Sequence, residues 1–264
     1  GSTDGPRILY VDGVDREVRT EEDPSNDRNW ARVYLPAVLA SQPGATIDAT
    51  TDDDVARIAA ENTYDLVVWS TGQTSTRAQS LTATDRATLE SMLGTETKVI
   101  LSGAELVWEH IAVGNETTSA FVRDTLGVDY VSDDAETTSI DASPLGLGDL
   151  AFGDCSVDAP CMHYPDVIAE LAGGSVLATY PAGGAAIVQS EQGVIFGGLP
   201  LETVAPPAAR EELIATLVTR GLDGVPPGSG ECPAPLVTDP DAGPGTSPDA
   251  GPSTDRPDGG TSDG

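Results

Sequence analysis

Apolar residues in this chain form short continuous runs, separated by segments in which they recur at helical spacing. The runs at 7–12 and 64–70 are almost wholly apolar, and polar residues follow each of them. Runs of this kind predict strands that are buried on both faces. The segment between them carries one apolar helical face, formed by Trp30, Val33, Tyr34, Ala37 and Val38. It predicts a helix that Pro36 kinks or loosens.

End signals mark further elements. Residues 82–85 read Thr-Ala-Thr-Asp, a capping-box pattern, and Gly94 stops the helix that they open. We also predict a short helix at 52–61, a strand at 98–101 and a helix at 119–126.

The C-terminal half has a different pattern. Residues 128–166 are rich in Asp and Gly and are expected to be irregular. Strands at 176–180, 185–189 and 194–196 follow, and their close spacing across glycine-rich turns predicts antiparallel hairpins. A last helix is expected at 207–220, with the apolar stripe Leu213, Ile214, Leu217 and Val218 and with Gly221 as its C-cap.

Alternating strands and helices followed by hairpins predict an α/β fold. We expect a doubly wound, mostly parallel sheet of the flavodoxin-like kind, with a small antiparallel extension, over residues 6–224. From 225 to 264, 17 of 40 residues are Pro or Gly and none is aromatic. Such a segment cannot bury enough apolar surface to offset its ordering entropy, so we expect a disordered linker or stalk there.

Charge narrows the range of partners. The chain carries 43 acidic residues against 13 lysines and arginines, for a formal net charge of −30. A surface of this sign repels phosphate backbones, so nucleic-acid binding is not expected. No apolar run is long enough to span a bilayer. The acidity fits solubility or a saline habitat, and a calcium-binding role is the sharper alternative.

Three cysteines bear on the cellular setting. Cys155 and Cys161 flank a short loop that contains a proline. This spacing is typical of a disulfide-closed loop in an exported protein, which favours a secreted or cell-surface location. Free thiols are one alternative. A metal site that adds His163 is another, although it lacks the fourth ligand of a structural zinc site. Cys232 is left over and could pair outside this fragment.

Two strand ends are the expected positions of catalytic or ligand-binding residues. The segments 98–105 and 193–202 each lead from a strand into a loop, and ligands collect at such ends in open α/β sheets. Neither segment contains a cysteine or a histidine. The sequence also has no phosphate-binding glycine motif, so no nucleotide or flavin cofactor is expected.

The order of these elements resembles the class I glutamine amidotransferase-like superfamily, and looks closest to divergent domains of that kind in secreted bacterial proteins. The matching segments lie at 64–72, 81–85, 101–105, 119–126 and 196–202. The likeness spans roughly residues 6–222. The composition of the linker is also similar to that of linkers in exported myxobacterial proteins.

The resemblance implies a catalytic apparatus that this sequence lacks. Active members carry a nucleophilic cysteine on a tight turn after a central strand, where Gly103 or Ala104 stands here. Their histidine base and its acidic partner follow a late strand, where residues 196–202 read Phe-Gly-Gly-Leu-Pro-Leu-Glu. Glu202 remains, without a histidine. The amidotransferase reaction is therefore not expected, because nucleophile and base depend on each other.

Other catalytic or binding groups are possible at the strand ends. Ser70 or Ser102 could act with His163 and Asp166 as a hydrolase triad, although Gly-x-Ser-x-Gly is absent from the sequence. The ordinary alternative is that these are turn, cap and loop residues. The candidate ligand-binding residues are Asp12, Asp15, Glu105 and Glu202, which follow predicted strands and whose carboxylates suit calcium. Acids are so abundant here that several are expected in loops by chance.

These observations favour a non-catalytic interaction or structural module of an exported or cell-surface bacterial protein. We expect a monomer whose partner is a protein or a polysaccharide, with calcium as the one metal considered. A Ser-dependent extracellular hydrolase is one alternative. A carbohydrate- or calcium-binding module is the other, with Trp30, Trp69 and Trp108 as a conceivable sugar-stacking face.

Overall fold

In the part of the chain that the structure describes, five parallel strands form one end of a twelve-stranded sheet. The computed structural model of the chain describes residues 5–14, 30–73, 79–153 and 162–223. Several sequence predictions fall outside these ranges: those on Asp15, Cys155, Cys161, Cys232 and the linker at 225–264. They stay predictions.

The strands are numbered in chain order. They are β1 (Arg7–Asp12), β2 (Thr46–Thr51), β3 (Leu66–Gln73), β4 (Lys98–Ala104), β5 (Val128–Ser132), β6 (Ser139–Asp141), β7 (Asp149–Phe152), β8 (Val167–Glu170), β9 (Ser175–Thr179), β10 (Ala185–Gln189), β11 (Val194–Gly197) and β12 (Val204–Ala205). The parallel strands lie in the order β2-β1-β3-β4-β11. This is the flavodoxin-like order, in which the direction of winding reverses between β1 and β3.

Helices cover both faces of the parallel strands. α1 (Ala31–Ser41) and α5 (Pro207–Asp223) pack on one face, and α2 (Asp52–Glu61) and α3 (Ala83–Leu93) pack on the other. The side chains of β1 alternate between two cores: Ile8 and Tyr10 pack in one, and Leu9 and Val11 pack in the other. This burial on both faces explains its continuous apolar run. The predicted mixed α/β fold with a parallel central sheet is confirmed.

Local signals in the sequence set several helix boundaries. The Thr82 side chain accepts from the Asp85 backbone N–H, and Asp85 reaches back to the Thr82 N–H, which confirms the capping box of α3. The predicted apolar stripe of α5 is buried. Gly221 lies inside α5, not at its end, and a Cβ there would lie 3.2 Å from Leu66. The small residue thus lets α5 pack closely against the sheet.

The antiparallel part is larger than the predicted small extension. Among the described residues, β5 to β10 and β12 all pair antiparallel with their neighbours. The stretch at 128–166 contains β5, β6 and β7, although it was expected to be irregular. These strands are only three to five residues long, so they show little periodicity. β2 was also missed, because it is a polar edge strand.

Two shorter helices complete the architecture. The predicted helix at 119–126 begins earlier, as α4 (Glu116–Ala120), and continues as a π-helical segment, Phe121–Leu126. Gly127 ends it with a φ of +74°. A second π-helical segment, Trp108–Val113, follows β4. In the described part of the chain, no helix has the length and apolar character needed to cross a bilayer.

Candidate functional site

The carboxyl ends of the central strands bring several predicted site residues into one row. Asp12 of β1 lies in register with Ser70 of β3, Ser70 with Ser102 of β4, and Ser102 with Gly197 of β11. The winding reversal between β1 and β3 is where open α/β sheets bind ligands. The row therefore marks the candidate site.

Glu202 is the centre of a buried hydrogen-bond network beside this row. It lies in the 3₁₀ turn Leu201–Thr203, just after β11. The Tyr34 hydroxyl donates to Glu202 Oε2 at 2.6 Å, and Ser70 Oγ donates to both carboxylate oxygens at 3.2 and 3.3 Å. Ser102 Oγ lies 3.3 Å from the Tyr34 hydroxyl. One carboxylate thus ties together α1, β3, β4 and the turn after β11.

Burial controls the protonation of Glu202. Its side chain is 1% exposed, and loss of solvation raises its pKa from 4.5 to about 7. The hydrogen bonds from Tyr34 and Ser70 oppose this shift, while the charge of Asp12 adds to it. Burial and the carboxylate raise the pKa of the Tyr34 hydroxyl well above its usual value. A carboxyl that titrates near neutrality suits acid–base chemistry, but this one does not reach solvent.

The nearest basic residue contacts the backbone of Glu202. Arg210 of α5 donates from Nη1 to the Glu202 carbonyl oxygen at 3.0 Å. Burial lowers the pKa of Arg210, and the Glu202 charge raises it. Within the described ranges, no lysine, arginine or histidine forms an ion pair with the Glu202 carboxylate. Its charge is therefore stabilised by neutral hydroxyl groups.

The structure does not assemble the predicted Ser–His–Asp arrangement. Among the described residues, the hydroxyls of Ser70 and Ser102 bond to Glu202 and Tyr34, not to a histidine. The His163 N–H donates to Gln73 Oε1 at 2.6 Å, which places His163 near the end of β3. Asp166 accepts instead from the Val107 N–H at 2.8 Å. The four residues of the triad hypothesis thus lie at one edge of the sheet, with the two serine hydroxyls bonded to Glu202 and Tyr34.

The strained turn after β4 carries a carboxylate. Glu105 has a φ of +67°, a conformation that is unfavourable for a residue with a side chain. Gly103 and Ala104, which the sequence comparison placed at the nucleophile position, still belong to β4. A Cβ at Gly103 would overlap Thr71 Oγ1. The tight turn therefore presents Glu105, one residue later than expected.

Only one of the two glycines at the end of β11 lacks room for a side chain. Gly197 and Gly198 follow Phe196 at the end of β11. A Cβ at Gly198 would lie 2.5 Å from the Asp166 carbonyl oxygen, whereas the nearest atom to a Cβ at Gly197 would be 3.6 Å away. Position 198 has no room for a histidine side chain unless Asp166 moves.

Three of the four predicted acidic ligands lie in the described part of the chain, and Asp12 and Glu202 are neighbours there. Asp12 accepts from the Trp30 N–H at 3.0 Å and interacts electrostatically with Glu202. Glu105 instead interacts with Asp166 and Tyr130. In the described part of the chain, no three His, Cys, Asp or Glu residues are arranged to hold a metal ion. Because Asp15 lies outside the described residues, the calcium alternative stays a prediction.

The prediction that three tryptophans form a sugar-stacking face is wrong. Trp30 is 3% exposed and Trp69 is not exposed at all, so both belong to the core and only Trp108 is half-buried.

Two residues around Glu202 were not predicted as site residues. The sequence assigned Tyr34 to the apolar face of α1 and did not single out Arg210. The Tyr34 hydroxyl could have indicated a polar contact at this site, because a buried tyrosine hydroxyl needs a hydrogen-bond partner. His110, buried in the segment after β4, bonds to Leu106 and Arg86.

Comparison with known proteins finds similarity in structure and none in sequence. The sequence matches no protein-family model and no curated protein. Among solved structures, a glutamine amidotransferase from Thermotoga maritima is similar, with a TM-score of 0.43 and 10% sequence identity. The match covers 83% of this chain and 92% of the amidotransferase chain. A similarity at this level carries no inference about chemistry.

Proposed function

We propose that this chain is a non-catalytic interaction module of an exported or cell-surface bacterial protein. The observation that supports this most directly is the closed network around Glu202. Ser70, Ser102, Tyr34 and Glu202 are each no more than 1% exposed. A catalytic nucleophile must reach its substrate, and these hydroxyls are buried.

The geometry of the two glycine-containing strand ends also supports the proposal. The turn after β4 presents Glu105, and the position after β11 is filled by the Asp166 backbone. Acyl transfer needs a nucleophile and a base within hydrogen-bond reach of each other. Glu105 in the turn and two glycines after β11 supply neither of these groups, which fits a scaffold used for recognition.

The proposed setting rests on the sequence. A closely spaced cysteine pair, a net charge of −30 and a Pro/Gly-rich segment at 225–264 fit a module displayed outside the cytoplasm. The partner is then a protein or a polysaccharide. The alternative of a Ser-dependent hydrolase has one favourable observation, which is that Ser70, Ser102 and His163 all lie near the carboxyl ends of β3 and β4.

The test is a set of activity assays on the full chain. We expect no labelling by a fluorophosphonate, no hydrolysis of p-nitrophenyl acetate and no release of ammonia from L-glutamine. A known serine hydrolase serves as the positive control for each reagent. Labelling that disappears in both Ser102→Ala and His163→Ala, with melting temperatures unchanged, would establish the hydrolase instead. Ser70→Ala is tested in the same way, and labelling that survives all three variants would be non-specific and would leave the proposed function standing.

A further inference from the structure

Helix α1 covers the buried carboxylate of Glu202. Its Tyr34 hydroxyl donates to Glu202 Oε2 at 2.6 Å, and the Tyr34 ring stacks on Tyr10 of β1. The N–H of Trp30, directly before α1, donates to Asp12 at the end of β1 at 3.0 Å. The start of α1 is thus held at the carboxyl edge of the sheet, beside the winding reversal between β1 and β3.

The hydroxyl groups around Glu202 can bond to it in either protonation state. Tyr34 gives its one proton to Glu202, so the 3.3 Å contact between Tyr34 and Ser102 has Ser102 as the donor. With Ser70 as a further donor, this arrangement suits an ionised carboxylate. A protonated Glu202 can instead donate to the Tyr34 oxygen while Tyr34 donates to Ser102. The chain Ser102–Tyr34–Glu202 therefore has two possible directions.

The two protonation states differ in the cost of burial. A buried carboxylate without a paired cation is costly, whereas a neutral acid that keeps its hydrogen bonds is not. Among the described residues, β3 and β4 present only serines to Glu202, and the titratable or charged groups that face it are Tyr10 and Asp12 of β1, Tyr34 of α1 and Arg210 of α5. Asp12 repels the carboxylate charge, and Arg210 bonds to the backbone carbonyl instead. The closed packing therefore favours the protonated acid.

The helix that supplies the Tyr34 bond has few local sources of stability. Pro36 lies inside α1 and has no N–H to donate to the Arg32 carbonyl oxygen. The N-cap residue, Trp30, has no side-chain oxygen to accept from the first N–H groups of the helix. The first turn has no acid and the last turn has no base to complement the helix dipole. α1 therefore costs less to displace than a capped, uninterrupted helix.

We propose that α1 is a proton-controlled cover over the carboxyl edge of the sheet, closed while Glu202 is protonated and loosened once Glu202 is ionised. Displacement of α1 takes Tyr34 away from Glu202 and lets water solvate the carboxylate. It also uncovers the end of β1 at the winding reversal, where open α/β sheets bind ligands. Access to this edge therefore rises with pH. The inference goes beyond the proposed function and does not rest on it.

The test is hydrogen–deuterium exchange of the full chain at pH 6 and pH 8.5, measured by mass spectrometry and corrected for the intrinsic exchange rates. Protection of the amides at 31–41 should fall by about ten-fold between these values, because the closed form holds a proton with a pKa of about 7 and solvated Glu202 has the ordinary 4.5. Protection of α1 should also stay below that of β3, which exchanges only when the whole protein unfolds. α2, on the opposite face with Val55 as its buried residue, should exchange locally and show no change.

Glu202→Gln should abolish the pH dependence of α1. Glu211→Gln, at an exposed glutamate of α5, is the matched control and should keep it. Tyr34→Phe removes the closest donor to the ionised form, so the fall in protection should exceed ten-fold. This variant also tests the cover if Glu202→Gln does not fold.

Four results would overturn the inference. They are equal protection of α1 and β3 at pH 8.5, an equal fall in α2, a fall in α1 that persists in Glu202→Gln, and a fall in Tyr34→Phe no larger than in the wild type. The first would show that α1 opens only by global unfolding. None of these results bears on the labelling and turnover assays, so the proposed function fails or stands separately.

Discussion

The hydroxyl of Tyr34 donates a 2.6 Å hydrogen bond to Glu202, and neither residue is more than 1% exposed. The bond joins α1 to the turn after β11, two elements that lie far apart in the sequence. The Tyr34 ring also stacks on Tyr10 of β1, with ring centroids 5.1 Å apart. At the carboxyl edge of the sheet, α1 is thus held to the turn after β11 by a buried hydrogen bond.

The stability of the protein should depend on pH through Glu202. Its folded-state pKa of about 7 lies above the ordinary value of 4.5, so the folded protein holds this proton more tightly than the unfolded chain. The contribution is complete below pH 4.5 and is lost as pH rises through 7. By linkage it amounts to about 3 kcal/mol.

Glu202→Gln removes this titration and leaves the other acids unchanged. Urea unfolding of both proteins at pH 5 and pH 8 measures the effect. We expect the stability of the wild type relative to Glu202→Gln to fall by about 2.5 kcal/mol between these two pH values. A difference that does not change with pH would show that Glu202 titrates at its ordinary value.

Tyr34→Phe should destabilise the protein most at high pH. The variant removes the shortest bond to a buried carboxylate, and such charged bonds contribute about 1.5–3 kcal/mol. At pH 5 Glu202 is protonated, so the loss should be smaller, on the order of 1 kcal/mol. Chemical denaturation at the two pH values gives both numbers.

Tyr64→Phe is the matched control for this substitution. The Tyr64 hydroxyl donates to Asp48 at 2.9 Å, but the Asp48 side chain is 43% exposed and can be solvated when the bond is lost. We expect a loss below about 1 kcal/mol, independent of pH. Similar losses in the two variants would contradict the special role of burial at Glu202.

Gly198→Ala should be much more harmful than Gly197→Ala. The Cβ at 198 would approach the Asp166 carbonyl oxygen to 2.5 Å, while the Cβ at 197 finds ordinary contacts at 3.6 Å and beyond. Overpacking of a rigid backbone costs about 1–3 kcal/mol. The melting temperature of Gly198→Ala should therefore be clearly lower than that of Gly197→Ala. Equal melting temperatures would show that the backbone at Asp166 moves to accommodate the added methyl group.

Thr82→Ala should weaken the start of α3. Thr82 accepts from the Asp85 N–H at 3.2 Å and donates to the Asp85 carboxylate at 2.7 Å. Loss of such a cap costs about 1 kcal/mol. Thr84→Ala, at an exposed position of the first turn, should be neutral or slightly stabilising, since alanine is the better helix former. A neutral Thr82→Ala variant in urea unfolding would contradict the role of the cap.

The cysteine prediction is open to direct measurement. Intact mass spectrometry of unreduced protein should show the loss of two hydrogen atoms, which Cys155→Ser or Cys161→Ser abolishes and Cys232→Ser does not. Quantitative alkylation of all three thiols before reduction would contradict the disulfide and weaken the case for an exported protein.

Much of the fold could be predicted from the sequence, because its main signals are local. The continuous apolar runs of β1 and β3, the capping box at Thr82 and the stripe of α5 each depend on residues close together in the chain. A strand that is buried on both faces of a parallel sheet can be recognised from its own apolar run, without knowledge of the strands that pair with it. β2 and β6 escaped prediction because short or polar edge strands gain their stability from pairing, which local pattern does not show.

The site could be predicted only in outline. The sequence by itself determined that Glu202 follows a late strand, that Ser70 and Ser102 lie towards the carboxyl ends of central strands, and that a cysteine and a histidine are missing from the expected places. The tertiary structure alone decided that Tyr34 meets Glu202, that Glu105 occupies the strained turn and that Asp166 fills the space beside Gly198. These contacts join residues distant in the sequence, so they exist only once the sheet brings its strand ends together. The desolvation that raises the pKa of Glu202 arises from that same packing.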